Sequence, residues 1–412
     1  MSLLAGIRVL DFGRFIAGPY CAALLGDLGA DVIRIERVQG GEDRYLPPVA
    51  DTGDGGIYLQ MNRNKRCLTL DLMHDEGRRI VRELVAGADV VVANLPPATL
   101  LQLGLDYPTL SGLNPRIVLA TVSAYGPGGP YSERPGFDAV GQAMSGAMYL
   151  SGQPDAPVRA VVPYVDVSTA QALAMGTLAA LWSRERSGHG QHVEGSLLRS
   201  ALVMGNALLI EQALKAPDRV PQGNRGFTAA PSDLFRASDG WLVVAAIGQP
   251  MFERWCALVG QPALVHDPRF ADDEQRGNHS RDISALMADW CATRRRGLQN
   301  SPDASTSTAR VLTAIDALST GLPWARVLRA LAKKYFALPL WIMSRIVPTM
   351  TARIISPTYH CMNPAGRLPE TAAKALLLNI VVLPAGRSCK STKPCDYGGQ
   401  SAERGKNPVM RP

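Results

Sequence analysis

No stretch of this 412-residue chain approaches the ~20 uninterrupted apolar residues that a helix needs to cross a bilayer. Its start, MSLLAGIRVLDFGR, lacks a basic stretch followed by an apolar signal core and a small-residue cleavage site. A soluble, cytoplasmic protein with no transmembrane segment is expected. Cysteine is sparse, with seven residues scattered over the chain (Cys21, Cys67, Cys256, Cys291, Cys361, Cys389, Cys395). Cys389 and Cys395 are too far apart for a Cys-x-x-Cys pair and have no histidine between them, so neither a disulfide framework nor a zinc site is expected. Gly-x-Gly-x-x-Gly is missing, which argues against a dinucleotide site, and no Gly-x-Ser-x-Gly elbow occurs. Acidic residues nearly vanish from the last quarter: residues 301–412 hold 15 Lys+Arg against 5 Asp+Glu.

That imbalance explains the net charge of +7, because residues 1–300 hold 28 basic against 31 acidic residues. A basic chain suggests nucleic acid, but the basic excess carries no interleaved aromatics and no helix-turn-helix pattern, so no nucleic-acid partner is expected. What is present is core-forming material: 46% of residues are hydrophobic and 19% charged, enough to bury a core.

The first 200 residues alternate apolar strands with amphipathic helices. Gly6–Phe12, Asp31–Glu36, Cys67–Leu72, Asp89–Val92 and Ile117–Val122 read as strands. Ala17–Gly29, His74–Ala86, Ala170–Trp182 and Leu197–Ala213 read as helices. Such alternation predicts an α/β fold with parallel strands joined by helical crossovers in an open sheet. The organisation predicted is a large Rossmann-like domain over 1–216, a polar, turn-rich linker over 217–226 and a small α+β domain over 227–300. The small domain has two short strands within Phe227–Ile247 and helices near Met251–Gly260 and Arg281–Thr293. Residues 301–412 form an atypical basic region.

Three constellations are candidates for chemistry. The strand–turn–helix at Val9–Glu36 has the layout of a mononucleotide-binding half without its glycine fingerprint. Asp166, in PYVDVSTAQALAMGTLAAL, sits where a strand-like apolar stretch gives way to a helix. One reading is an N-cap, whose oxygen accepts orphan backbone N–H groups. The other is a nucleophilic carboxylate, kept ionised by the helix dipole and flanked by free N–H groups that stabilise an oxyanion. The loop Ser123–Gly146 supplies a tight glycine–proline turn and the aromatic Phe137 near a strand end. His189 and His192 are three residues apart in a Gly-rich turn without a companion cysteine, which favours surface histidines over metal ligands.

In order along the chain, VLDFGRFIAGPYCAALLGDLGADVIRIER, MNRNKRCLTLDL, ADVVVANLPP, SAYGPGGPYSERPGFDAVGQAMSG, DVSTAQALAMGTLAAL, RSGHGQHVEGSLLRSAL, GNRGFTAAPSDLFRASDGWLVVA and HDPRFADDEQRGNH are similar to the family III (CaiB/BaiF-type) CoA-transferases. That group includes formyl-CoA transferase, the carnitine CoA-transferases and α-methylacyl-CoA racemase. The resemblance implies a Rossmann-like large domain, a small domain and an interlocked homodimer. It implies Asp166 as the catalytic aspartate, with an acyl-CoA and a carboxylic acid as partners and no cofactor beyond coenzyme A as substrate. By the same resemblance Ile16, Ala17, Arg37, Leu70, Asn94, Leu95 and Leu103 line the CoA site. Phe137 belongs to the substrate pocket, and the turn Gly223, Asn224, Arg225, Gly226 to a lid.

Three departures refine this. Where the racemases carry Gly-His-Asp, this chain has Gly136–Phe137–Asp138, and its one histidine before residue 189 is His74, so transfer is favoured over two-base epimerisation. A basic residue often found at the position of Gln102 is missing. The similarity is lost after Thr293 except for a trace in ARVLTAIDAL, which with the acid-poor tail predicts reading-frame shifts near residues 294–300 and 319. A third reading is an altered family member that binds CoA without catalysis.

Overall fold

The computed structural model describes residues 2–49, 53–295 and the strand at 312–315; the frame-shift expectation for the tail and the basic region 301–412 lie almost wholly outside the described residues. The chain builds β1 (Arg8–Asp11), α1 (Ala17–Asp27), β2 (Asp31–Glu36), α2 (Gly56–Met61), β3 (Lys65–Thr69), α3 (Asp75–Ala86), β4 (Val90–Ala93), α4 (Pro97–Leu103), α5 (Tyr107–Leu113) and β5 (Val118–Ser123). It continues with α6 (Asp138–Met144), α7 (Ala147–Leu150), α8 (Tyr164–Ser187), β6 (His192–Ser196) and α9 (Leu197–Lys215). Then follow β7 (Ser232–Ala237), β8 (Gly240–Ala245), α10 (Gln249–Leu258), α11 (Asp273–Asn278), α12 (Ser280–Ala292) and β9 (Leu312–Ile315).

β1 to β6 form one parallel sheet in the order β3-β2-β1-β4-β5-β6. Helices cover both faces, so the central strand β4 (VVVA) is buried at every position and needs no polar alternation. One face packs Val9, Val32, Val90 and Val118 against Cys21 and Leu25 of α1 and Leu173 of α8. The other packs Leu10, Ile35, Val91 and Leu119 against Val81 and Val85 of α3 and Leu110 of α5. The strand order reverses direction between β1 and β4, which opens a crevice at the carboxyl ends of those two strands. Helices that cross over between parallel strands run back against them, so the first turns of α1 and α8 both lie at that same end.

Two elements differ from the sequence expectation. The apolar stretch before Asp166 is not a strand: Val158, Val161 and Val162 are exposed in a loop. It fooled the pattern because it is β-branched but has no strand beside it. His192 does not lie in a turn; it opens β6, an edge strand beside β5. α9 passes for a membrane-crossing helix by length and composition alone, but Arg199, Asn206, Glu211 and Gln212 interrupt it, so no clear transmembrane segment is present among the described residues. It carries a kink at Asn206 (φ 43) and exposes Val203, Ile210 and Leu214.

β7, β8 and β9 form a separate antiparallel sheet. Its own core gathers Phe235, Leu242, Val244, Phe252, Trp255, Phe270 and Met287. The hairpin β7–β8 matches the two expected strands. β9, drawn from the segment with only a trace of pattern, pairs Leu312 with Val244 and Ile315 with Trp241.

Candidate active site

The loop after β1 is held from three sides. Asp11 Oδ1 accepts the Gly13 amide at 2.8 Å, and its Oδ2 accepts the Lys65 ammonium at 2.7 Å. Lys65 also donates to the Pro19 carbonyl at 2.7 Å. Asn94, just past β4, bonds both backbone groups of Arg14: Oδ1 accepts its N–H and Nδ2 donates to its carbonyl, each at 2.7 Å. The two strands that flank the crevice are thereby tied loop to loop. The packing is close here: a Cβ on Gly18 would come within 3.1 Å of the Asn94 side chain, which would have to shift by a few tenths of an ångström.

The residues expected to line a CoA site follow β1, β2, β3 and β4, except Leu103, which ends α4. Ile16 and Ala17 are buried at the start of α1, and Asn94, which grips Arg14, and Leu95 follow β4. Arg37 follows β2, half-exposed, and is ion-paired to Glu42, which Arg14 also approaches at 3.5 Å. Leu70 follows β3, and its amide bonds the Glu36 carbonyl at 2.8 Å. Leu70, Leu95 and Leu103 all pack, partly buried, on the same core cluster. Gln102 is exposed on α4. At the far edge His192 meets Thr121 Oγ1 at 2.8 Å and stacks on Tyr107, while His74 caps α3.

Asp166 is 8% exposed and lies in the first turn of α8, whose N-cap position is Pro163. The N-cap reading of Asp166 is therefore wrong by three positions. The cap comes instead from another helix: Asp138, the first residue of α6, accepts the amides of Val165 at 2.8 Å and Asp166 at 3.0 Å on one carboxylate oxygen. Its other oxygen accepts from Gln142 Nε2 at 2.5 Å. The neighbouring amides are also used, Tyr164 on the Val162 carbonyl and Val167 on that of Pro163. The expected free N–H groups at this helix start are thus already taken.

The charge state differs from expectation as well. Burial, followed by the repulsion of Asp138, pushes the Asp166 carboxyl up to about 7, so the helix dipole does not hold it in the ordinary carboxylate range. Tyr164 is raised by the same two causes. Phe137, exposed, meets Phe15 edge-on with ring centroids 5.5 Å apart, joining the loop after β1 to the start of α6. A cavity of about 840 Å³ extends from Tyr164 between α7 and α9, with Gly223 and Asn224 on its rim. Gly226 closes that turn through its amide on the Ser232 carbonyl, and Arg225 Nε is buried without a hydrogen-bond partner. Among the described residues no group of three or more His, Cys, Asp or Glu is arranged to hold a metal.

Asp138 is the functional candidate that sequence reasoning missed. In the sequence it stands only as the last residue of the Gly136–Phe137–Asp138 triplet, with no role assigned, and its partners lie 27 and 28 residues away.

An α/β crevice at the reversal point of a 3-2-1-4-5-6 sheet is where folds of this class take nucleotide-bearing ligands. The model of CoA-transferase family III matches residues 4–319. The succinyl-CoA–L-malate CoA-transferase beta subunit of Chloroflexus aurantiacus is 36% identical over 296 residues, covering 70% of this chain and 73% of that one. The succinate–glutarate CoA-transferase of Agrobacterium fabrum is 35% identical over 295 residues, covering 69% and 73%. Among solved structures, a CaiB/BaiF family protein from Brucella suis matches with a TM-score of 0.62 and 32% identity, covering 72% of this chain and 79% of that one. A Mycobacterium tuberculosis protein, Rv3272, matches with a TM-score of 0.67 and 30% identity, covering 80% and 86%. The chain belongs to CoA-transferase family III.

Proposed function

We propose that this protein moves CoA from an acyl-CoA, of the succinyl-CoA kind, to a free carboxylic acid, with Asp166 as nucleophile. The observation that carries the reading is a buried aspartate, unpaired with any cation among the described residues, at the carboxyl end of the sheet. The Asp166 carboxylate attacks the thioester carbonyl, the C–S bond breaks, and an acyl-aspartyl anhydride and CoA thiolate result. The thiolate then attacks the aspartyl carbonyl, giving an aspartyl-CoA thioester and releasing the donor acid as its carboxylate. An acceptor carboxylate reverses both steps, leaving a new acyl-CoA and free Asp166. These steps need no cofactor beyond coenzyme A.

CoA lies, in this reading, over Ile16, Ala17, Asn94 and Leu95, with Leu70 and Leu103 behind it. Arg37 exchanges Glu42 for a CoA phosphate. Phe137 borders the acyl group, and the turn Gly223–Gly226 closes over the intermediate. We assign residues 1–216 to a large domain, 217–226 to a linker and 227–300 to a small domain, in a cytoplasmic, interlocked homodimer. The exposed apolar side of α9 supports a second copy as its cover. We keep the reading of frame shifts near residues 294–300 and 319: the family match, which ends at 319, supports the second and runs through the first, and reading the coding DNA in its other frames tests both. The epimerase alternative is not favoured, since Phe137 stands at the histidine position and the matched relatives are transferases. The deciding experiment incubates the protein with succinyl-CoA and a panel of dicarboxylic acids and follows new acyl-CoA by mass spectrometry. No transfer to any acid overturns the assignment.

A further inference from the structure

We propose that Asp138 is a positioning residue for the reaction: its carboxylate clamps the first turn of α8, and its negative charge favours the neutral, acylated forms of Asp166 over the free carboxylate. This rests on the reading of Asp166 as the nucleophile.

The clamp is geometric. One oxygen of Asp138 holds two successive amides, one of them the amide of Asp166 itself, at 2.8 and 3.0 Å. The other oxygen is fixed by Gln142, which is 1% exposed and is in turn locked to both backbone groups of Ala160, at 2.9 and 3.3 Å. Three donors therefore orient Asp138, and Asp138 orients the turn that carries Asp166. A side chain held through its own backbone amide starts from one fixed Cα position, which is what attack on a thioester needs.

The charge acts in the same place. From α6 the titratable group facing Asp166 is Asp138, and from α8 it is Tyr164. Among the described residues no Lys, Arg or His of α1, β5, β6 or α9 forms an ion pair with Asp166, so the repulsion of Asp138 is not cancelled by a neighbouring cation. Two close carboxylates in a poorly hydrated site disfavour each other. Attack on the thioester converts one of them to a neutral anhydride, and the next step to a neutral thioester. Repulsion present in the resting enzyme is absent from both covalent states, so it drives acylation forward. The position of the Asp166 carboxyl near 7 is the equilibrium trace of that repulsion together with burial.

The test uses Asp138→Asn, Asp138→Ala and Asp138→Glu in the full chain. The readouts are the pH profile of kcat/KM with succinyl-CoA and the Asp166 adduct seen by mass spectrometry. Asp138→Asn keeps an acceptor oxygen for the two amides but removes the charge. Its acid limb should move down by about one pH unit, and its adduct at neutral pH should fall severalfold relative to wild type. Asp138→Ala loses both functions and should lower kcat about tenfold or more at every pH. Asp138→Glu keeps the charge on a longer arm: kcat should fall while the acid limb stays in place, which keeps the proposal open to refutation if the asparagine variant does not fold. An unmoved limb in Asp138→Asn, or a limb in Asp138→Glu that drops by a full unit, overturns the role of Asp138. A wild-type enzyme that transfers CoA without any Asp166 adduct overturns the nucleophile reading and this inference with it.

Discussion

The ammonium of Lys65 and the carboxylate of Asp11 meet at 2.7 Å with both side chains fully shielded from solvent. They sit under the loop after β1. Burial lowers the Lys65 pKa while Asp11 opposes that shift, so the ammonium depends on its partner. Lys65→Ala would leave Asp11, the Pro19 carbonyl and Asn62 short of a donor in the interior. A loss of about 3–5 kcal/mol is expected, as for other buried pairs broken on one side. Replacing both partners, Lys65→Met with Asp11→Leu, should cost less than the single change. Urea unfolding of the three variants checks this, and a double variant less stable than Lys65→Ala refutes it.

Asp166→Ala should remove transfer, by roughly 10⁴-fold or more, because the covalent route has no other nucleophile. The fold should not suffer, since the helix start is capped by Asp138 and not by Asp166. Unchanged circular dichroism and a cooperative melt no lower than wild type at neutral pH, together with lost activity and no adduct with succinyl-CoA, is the expected result. Residual turnover within tenfold of wild type would sink the nucleophile assignment.

The raised Asp166 carboxyl also makes stability depend on pH. Its folded pKa, about 7, lies above the ordinary aspartate value near 4, so between these two the folded state holds a proton that the unfolded chain has released. The contribution is fully present below pH ~4 and is lost as pH rises through ~7, amounting at most to 2–4 kcal/mol or so by the usual conversion. Other groups add their own slopes, so the comparison is with Asp166→Asn. Wild type should lose stability relative to that variant between pH 4 and 7, and parallel curves would refute the shift.

Much of the sheet was legible because period and punctuation agree there. Asp31–Glu36 is a strand with both bounds as read, and the β7–β8 hairpin falls within Phe227–Ile247 as expected. Short helices such as α4, α6 and α7 escaped, since seven or fewer residues hardly complete two turns of a 3.6-residue period. The edge strand β6 escaped because only Ser196 of its five residues is buried, which leaves no hydrophobic signal. At the candidate site, local pattern singled out Asp166 for attention but not the Asp138 cap of its helix. The bond from Asp138 depends on how α6 packs against α8, and nothing within either segment encodes that pairing.

The edge contact between Phe15 and Phe137 gives a further prediction. It bridges the crevice loop and the start of α6, across 5.5 Å between centroids. Aromatic edge contacts contribute about 0.5–1.5 kcal/mol beyond burial, and Phe137 is largely exposed, so Phe137→Ala should change overall stability by less than about 1 kcal/mol. Its effect belongs on the substrate side: KM for acyl-CoA should rise severalfold while the melting temperature barely moves. Equal loss of stability and unchanged KM would assign the contact to folding alone.

The last prediction concerns α9. Val203, Ile210 and Leu214 are 72%, 59% and 80% exposed on one helix, in contrast to Leu197 and Ala201, which are buried at its start. Exposed apolar residues on both sides of the Asn206 kink are costly to hydrate, at about 25 cal/mol per Å² of surface, and in the proposed homodimer the simplest cover is another copy of the chain. Wild type should elute as a dimer at micromolar concentration in light-scattering chromatography. Changing Val203, Ile210 and Leu214 together to Glu places three like charges in that interface and should give monomer with its secondary structure intact. The same variant should lose transfer activity if the two copies are needed to complete the site. A triple variant that stays dimeric and active would show that α9 faces something else, and partition of wild type into lipid vesicles would identify a bilayer as that surface.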